Sequence, residues 1–113
     1  MKIKKQAVKD PQPTMGLDGI NATLGDSIVS NSQDKTLCAG FFHLNKTDKP
    51  HVYTYDYEEM KYVAEGEFFI TDESGQKVHA TVGDVLFFGN GETITFETPT
   101  RGVGFFVGQR KAL

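Results

Sequence analysis

This sequence contains very little cysteine and no tryptophan: of its 113 residues, one is cysteine and none is tryptophan. The single thiol, Cys38, excludes an internal disulfide framework and is typical of a reducing compartment, so we predict a cytoplasmic protein. No apolar run reaches the roughly 20 residues of a membrane-spanning helix, and the polar first residues are not those of a signal peptide. We therefore expect no membrane as a partner.

An excess of basic residues is also missing. Twelve lysines and arginines stand against 15 acidic residues, and no basic stretch is interleaved with aromatic residues, so we expect no nucleic acid as a partner. Four lysines cluster before Pro11 and Pro13, two residues that cannot donate hydrogen bonds to a sheet. We interpret residues 1–16 as a solvated arm and residues 17–113 as one domain, long enough to bury a core.

Helical spacing of apolar residues is missing throughout the chain. Turn signals instead recur about every 8–12 residues, and the stretches between them are short and rich in β-branched and aromatic residues. We predict strands at 20–24, 27–29, 36–44, 67–71, 77–81, 85–88, 92–97 and 103–107, with a tight turn at Glu65-Gly66. The pattern is typical of an all-β barrel or jelly roll.

The segment from residue 51 to residue 67 carries most of the candidate chemistry. Alternation places His51, Tyr53 and Tyr55 on one face of a strand, and after a polar crossing it places Glu59 and Lys61 together on one face. We expect His51 at the rim, because it follows a proline at a strand start. If the shared face is the inside of a barrel, it presents phenols, a carboxylate and an amine to a common space.

These four candidates, Tyr53, Tyr55, Glu59 and Lys61, suit proton transfer next to a carbonyl group. A desolvated lysine has a lowered pKa and can act as a general base or nucleophile, and a neighbouring tyrosine can donate a proton or, with a depressed pKa, accept one. The alternative is a satisfied ion pair with two hydrogen-bonded phenols. We favour function because burying such a pair without a role is costly.

Four further residues are predicted to contact the ligand: His43, Tyr57, Ile94 and Phe96. His43 shares its strand face with Ala39 and Phe41 and would enter the pocket from a neighbouring strand. For Tyr57, which lies in the crossing loop, a packing role is the alternative. No motif for a nicotinamide, flavin or other cofactor is present, so we predict no cofactor.

Phenylalanine occurs as adjacent doublets four times, at Phe41-Phe42, Phe68-Phe69, Phe87-Phe88 and Phe105-Phe106. Adjacent strand residues point to opposite faces, so each doublet places one ring outward. An outward ring in water forgoes roughly 2–3 kcal/mol of burial. We therefore predict a homodimer that covers these rings, with coverage by the amino-terminal arm as the alternative.

Two stretches resemble the cupin motifs. Glu59 followed after six residues by Gly66 is similar to the second half of the first motif, and the stretch from Gly83 to Ile94 is similar to the second motif. The resemblance to the cupins runs from about residue 36 to residue 107. Within the cupins, the ethanolamine-utilisation EutQ family is the one that this sequence resembles most, over residues 53–59, 65–67, 83–84 and 94–100. The resemblance implies a small single-domain cupin, a jelly-roll barrel or double-stranded β-helix, dimeric and with a pocket inside.

The resemblance also implies that the metal-binding histidines of metal cupins are replaced in this sequence. Metal cupins have two histidines where Tyr53 and Tyr55 stand, a glutamate at Glu59, and a third histidine at Ile94. Phenols are poor ligands for ordinary divalent metals and isoleucine is none, so we predict no metal. A metal held by His43 or His51 instead remains an alternative.

Two functions remain open. The first is a metal-independent enzyme, a lyase or isomerase, that performs isomerisation, elimination or cyclisation on a small carbonyl-bearing molecule. The second is a non-catalytic EutQ-like accessory or ligand-binding protein of ethanolamine metabolism. The EutQ family has also been linked with acetate-kinase-like activity, but this chain has no recognisable nucleotide site.

Overall fold

A computed structural model describes all 113 residues and contains eight β-strands and one short 3₁₀ turn, Ala7–Lys9. The predicted all-β fold is confirmed. The strands in chain order are β1 Ala22–Val29, β2 Leu37–Asn45, β3 His51–Thr54, β4 Glu59–Thr71, β5 Lys77–Thr81, β6 Val85–Phe88, β7 Thr93–Glu97 and β8 Arg101–Gln109. No helix of the structure has the length and apolar character needed to cross a membrane.

Two antiparallel sheets share the long strand β4. The first sheet has the order β1-β2-β8-β4-β6, and the second contains β3, β7, β4 and β5. The pairing of β4 with β8 shifts register between Val63 and Glu65, where a bulge bends the strand from one sheet into the other. The sheets thereby curl around a common interior.

The predicted turn at Glu65-Gly66 is wrong, because β4 continues through it for 13 residues. Gly66 has φ of 66°, and a Cβ there would collide with the carbonyl oxygen of Arg101 on β8. The glycine therefore permits a close approach of two strands at the bend instead of a chain reversal. Both residues keep partners on β8, Val103 and Gly102.

Each phenylalanine doublet sends one ring into the interior. The inward rings of the doublets are almost fully buried and belong, with Phe96, to one core cluster. These inward rings are Phe42, Phe68, Phe88 and Phe106. Phe42 lies 5.9 Å from Phe68 and 5.6 Å from Phe96 between ring centroids. These separations are typical of favourable aromatic pairs, so the core is largely an aromatic cluster.

The first strand differs from the prediction of two short strands. Residues 22–29 form one strand, β1, whose pairing with β2 is interrupted by a register shift between Asp26 and Ile28. The preceding segment pairs with its start, since Leu24 N–H donates to the Pro13 carbonyl and Met15 N–H donates to that of Ala22. The end of the predicted arm therefore lies against the barrel.

Candidate active site

A cavity of about 430 Å³ lies among inward-facing residues of both sheets. This volume is in the range that holds a small organic ligand. Most of the lining side chains are aromatic or ionisable. They come from the strands, the segment before β1, the loop after β3 and the carboxyl-terminal segment: Met15, Leu24, Phe42, His51, Tyr53, Tyr55, Asp56, Tyr57, Glu59, Lys61, Phe96, Gln109, Arg110, Lys111 and Leu113.

Glu59 and Lys61 form a buried ion pair in the cavity wall. Both side chains are 4% exposed, and Lys61 Nζ lies 3.3 Å from Glu59 Oε2. They meet because residues two apart on a strand share a face, and β4 turns this face inward. Tyr55 donates a hydrogen bond of 2.7 Å to the same Oε2 atom. The other carboxylate oxygen, Oε1, accepts no hydrogen bond within the chain and is free for a ligand.

Burial shifts the pKa values of these groups in opposite directions. Loss of hydration lowers the pKa of the Lys61 amine, and the neighbouring Glu59 charge opposes this only in part. Burial, with the Glu59 charge and hydrogen bond, raises the pKa of the Tyr55 phenol. The raised pKa keeps the Tyr55 phenol protonated, so Tyr55 acts as a hydrogen-bond donor to Glu59 and the alternative of Tyr55 as a base is removed.

Aromatic rings surround the Lys61 amine. Its Nζ lies 4.6 Å from the ring centroid of Phe42, 4.7 Å from that of Phe96 and 5.6 Å from that of Phe88. We call these three rings the aromatic cage. Ring faces attract a cation at such distances, so the cage and Glu59 together can hold a positive charge in the wall of the cavity.

Gly104 on β8 makes room for the Lys61 side chain. A Cβ at residue 104 would lie 2.8 Å from Lys61 Cδ and 2.9 Å from Cγ, closer than side chains normally approach. Any larger residue there would push the lysine stem away from the strand. Gly104 therefore fixes the path by which the amine reaches the cavity.

The cavity contains a second titratable group in His51, which is buried. Loss of hydration and the Lys61 charge both lower the pKa of its imidazole, so the ring is neutral at pH 7. His51 lies 5.9 Å from Phe96 and 5.8 Å from Phe42 between ring centroids. Strand β3 thus adds a neutral imidazole to the wall.

Arg110 joins the carboxyl-terminal segment to the first strand beside the cavity. Its guanidinium donates hydrogen bonds of 3.0 and 2.7 Å to the two carboxylate oxygens of Asp26, and its charged carbon lies 5.6 Å from the Tyr57 ring centroid. Tyr57 in turn accepts a hydrogen bond of 3.3 Å from Tyr53. Such a two-point contact fixes a planar side chain in position, so this wall is ordered through long-range contacts.

The family model of ethanolamine utilisation protein EutQ matches residues 2–108. The chain belongs to the EutQ family. Over 73 residues it is 34% identical to the acetate kinase EutQ of Salmonella typhimurium strain LT2, a match that covers 65% of this chain and 31% of that protein. The chain therefore spans about a third of the length of this curated relative.

Solved structures, an RmlC-like cupin from Shewanella frigidimarina among them, share the fold of this EutQ-family chain. The EutQ protein of Clostridium difficile has a TM-score of 0.71 at 21% identity, covering 96% of this chain and 80% of that one. The polyketide cyclase RemF from Streptomyces resistomycificus has a TM-score of 0.77 at 16% identity, covering 96% and 79% of the two chains. At these identities the likeness concerns the fold alone.

The structure brings most of the predicted site residues of this EutQ-family chain together. Six of them line the cavity: Tyr53, Tyr55, Tyr57, Glu59, Lys61 and Phe96. His43 does not, and that expectation is corrected: its neighbour Phe42 points inward, so His43 faces the outside of β2. Ile94 is fully buried and belongs to the core, where it lines a smaller pocket with Phe88. Its place as a cavity residue is also corrected.

Sequence reasoning placed His51 at the rim and overlooked Arg110, and both line the cavity. For His51, the sequence contained a usable signal: it lies two residues before Tyr53 and therefore shares the inward face of the strand. The preceding proline was given too much weight. For Arg110 no local signal existed, because its partner Asp26 lies 84 residues earlier in the chain.

Whether a metal ion could bind in this EutQ-family site depends on which side-chain donor atoms are present. Nowhere in the structure do three or more His, Cys, Asp or Glu side chains come close enough together to hold a metal ion. Tyr53, Tyr55 and Ile94 occupy the positions of the histidines in metal cupins, and this set does not fit a divalent ion. That the working protein uses no metal or other cofactor stays a prediction.

Proposed function

We propose that this EutQ-family chain binds a small carbonyl-bearing molecule in its cavity and catalyses acid–base chemistry on it, of the isomerisation, elimination or cyclisation type. The observation that carries the proposal is the Glu59–Lys61 pair, almost completely buried yet part of the cavity wall. A charged pair in such a place costs stability, and its position beside a ligand-sized space supports a chemical role.

Each group has a role that its geometry supports. Glu59, whose Oε1 is free, takes the proton from the carbon next to the carbonyl group. Lys61 activates the carbonyl group by drawing electron density towards the carbonyl oxygen. Tyr55, which donates to Glu59 Oε2, holds the carboxylate in place and supplies a proton. The polyketide cyclase RemF shares the fold, which supports a barrel of this kind as a host for ring closure.

Deuterium exchange tests the proposal without knowledge of the substrate. A panel of small aldehydes and ketones in D₂O is followed by NMR for exchange next to the carbonyl group. Glu59→Gln and Lys61→Met should each slow exchange about 100-fold or more, because a positioned acid or base contributes about 10²–10⁴. The rate of the wild-type chain should also follow a bell-shaped dependence on pH.

Matched controls are available on the same surface. Glu58→Gln changes an exposed carboxylate next to Glu59, and Lys46→Met changes an exposed lysine, so neither should alter exchange. Circular dichroism checks that every variant folds. Exchange that is equal in Glu59→Gln and the wild type would contradict the proposal, as would a panel in which no compound exchanges.

The second candidate is a non-catalytic accessory or ligand-binding protein of ethanolamine metabolism. The family match favours it. It predicts binding of a small molecule that Lys61→Met weakens, with no exchange in any member of the panel. The kinase activity named for the Salmonella relative is not part of either candidate, since the chain spans only 31% of that protein.

We also propose that the chain forms a homodimer through the outer side of the first sheet. Met60, Val85 and Phe87 are 57%, 72% and 54% exposed there, and Met60 pairs directly with Phe87 across β4 and β6. Such a contiguous apolar face supports a covered surface, and a second copy of the chain presents a matching one. The alternative was that the amino-terminal arm covers the outward rings. Arm residues Val8 and Lys9 lie beside two rings of the doublets, Phe41 and Phe105, with which they line a shallow depression.

A further inference from the structure

We propose that the Lys61 amine forms a Schiff base with the carbonyl group of the bound molecule, an aldehyde or a ketone. This inference rests on the proposed function, because it needs a carbonyl compound in the cavity. It goes further by stating how Lys61 activates that compound, namely through a covalent bond. The arrangement of groups around the amine carries the argument.

The Lys61 amine has a single polar partner. An ammonium group has three donors, but within the chain only Glu59 Oε2 lies close to Nζ, at 3.3 Å, while the aromatic cage faces it from other directions. A lysine whose role was only to form an ion pair would gain from further acceptors. Lys61 also lines the cavity, from which a carbonyl carbon can approach the amine.

The same surroundings suit the product of the reaction. A protonated Schiff base has its positive charge at the position where Nζ lies and on the carbon bonded to it. The ring faces of Phe42 and Phe96 and the Glu59 carboxylate stabilise that charge without water, as they do for the ammonium. The site therefore keeps its electrostatic balance when the amine becomes an iminium group.

The reaction balances without any further reagent. The lone pair of neutral Nζ attacks the carbonyl carbon and a C–N bond forms. The carbonyl oxygen takes one proton from this nitrogen and a second from solvent, the C–O bond breaks, and water leaves a protonated imine. Glu59 then removes a proton from the neighbouring carbon, which converts the iminium to an enamine; return of a proton to that carbon restores the iminium, and addition of water to it releases the carbonyl compound and the amine. The lowered pKa of the Lys61 amine increases the neutral fraction that can attack.

Reductive trapping tests the inference on the full chain. The protein is incubated at pH 7 with equimolar propanal or acetone and reduced with sodium borohydride, and the modified lysines are mapped by peptide mass spectrometry. We expect Lys61 to be labelled about tenfold or more faster than the exposed Lys46, because each unit of lowered pKa raises the neutral fraction about tenfold. Labelling of Lys61 no faster than Lys46 in the folded protein would overturn the inference.

A second variant separates this result from a loss of fold and from the proposed function. Lys61→Arg keeps the charge but cannot form an imine, so its total labelling should fall to the level of the exposed lysines. If deuterium exchange depends on Lys61 while no trapping occurs, the covalent step is wrong and the proposed function stands. If Lys61 is trapped but exchange never occurs, the covalent site stands and the proposed catalysis is wrong.

Discussion

The energetic coupling between Glu59 and Lys61 gives the sharpest prediction for the buried pair. Four proteins are compared: the wild type, Glu59→Gln, Lys61→Met and the double variant. At 3.3 Å, two unit charges attract by about 5 kcal/mol at an effective dielectric constant of about 20. Since each group can change its protonation when its partner is lost, we expect a smaller measured coupling, of about 3 kcal/mol.

The single variants should lose more stability than the double variant. Removing one partner leaves an uncompensated buried charge, which can cost up to about 3–5 kcal/mol. Because the remaining group can change its protonation, we expect a loss of about 2 kcal/mol in each single variant and about 1 kcal/mol in the double variant, which corresponds to the coupling of about 3 kcal/mol. The double variant replaces the pair by an amide and an apolar side chain of similar size, so it should recover most of that loss. The Tyr55 hydrogen bond to residue 59 can persist in it, because a glutamine oxygen also accepts.

Urea unfolding followed by circular dichroism measures all four free energies at one protein concentration, which keeps any effect of association constant. The exposed pair Lys4–Asp10, with atoms 3.6 Å apart, serves as the control cycle and should show no measurable coupling. Additive losses for Glu59 and Lys61, with a coupling under about 0.5 kcal/mol, would refute the reasoning.

The pH dependence of the same variants has a defined sign. The pKa of Lys61 is lower in the folded state than in the unfolded chain, so between the two values the unfolded chain binds more protons. The free energy of unfolding should therefore rise with pH until about 10.4, the ordinary lysine value. In Lys61→Met this rise should be smaller. A rise of equal size in both proteins would contradict the assigned shift.

Two further predictions concern other parts of the molecule. Asp26→Asn should lower the free energy of unfolding by about 2–3 kcal/mol at pH 7, because hydrogen bonds to charged groups contribute roughly this much. Burial opposes ionisation of Asp26, but the Arg110 guanidinium holds its pKa below the ordinary value, so this stability is lost as the pH falls through the folded pKa. Phe87→Glu should convert the proposed dimer to a monomer in analytical ultracentrifugation, since it places a charge on the exposed apolar face.

Both have controls in the same chain. Asp48→Asn changes an exposed aspartate and should leave the pH dependence of stability unchanged. Val52→Glu places a charge on the outward face of β3 in the second sheet, so the sedimentation behaviour should stay that of the wild type. A Phe87→Glu protein that still sediments as a dimer would exclude the first sheet as the interface.

The period of two grouped the inward side chains correctly along β3 and the first residues of β4. Alternation with Val52, Thr54 and Met60 at exposed positions placed the phenols, Glu59 and Lys61 correctly. It failed along β2, where both faces carry large apolar side chains. There the period of two remains, but nothing local tells which of two adjacent phenylalanines is inward, and the placement of His43 was wrong for that reason.

Long-range contacts account for the other errors. The bend at Gly66 depends on the approach of Arg101 and Gly102 on β8, which cannot be read from a glutamate and a glycine in sequence. The importance of Gly104 is likewise visible only once β8 lies beside Lys61. A glycine that keeps space for a distant side chain looks in the sequence like any other strand glycine.

Strand β4 belongs to both sheets and is paired along its length with β5, β6, β7 and β8. Its first residues, Glu59 and Lys61, are thus attached to the part of the molecule that opens least often, since local openings spread from weakly paired segments. Strand β3, which has four residues and pairs only with β7, is held by fewer contacts, so we expect local opening of the cavity wall there before it reaches Glu59 and Lys61. The Glu59 and Lys61 side chains are therefore expected to keep their positions while the more weakly paired part of the wall opens.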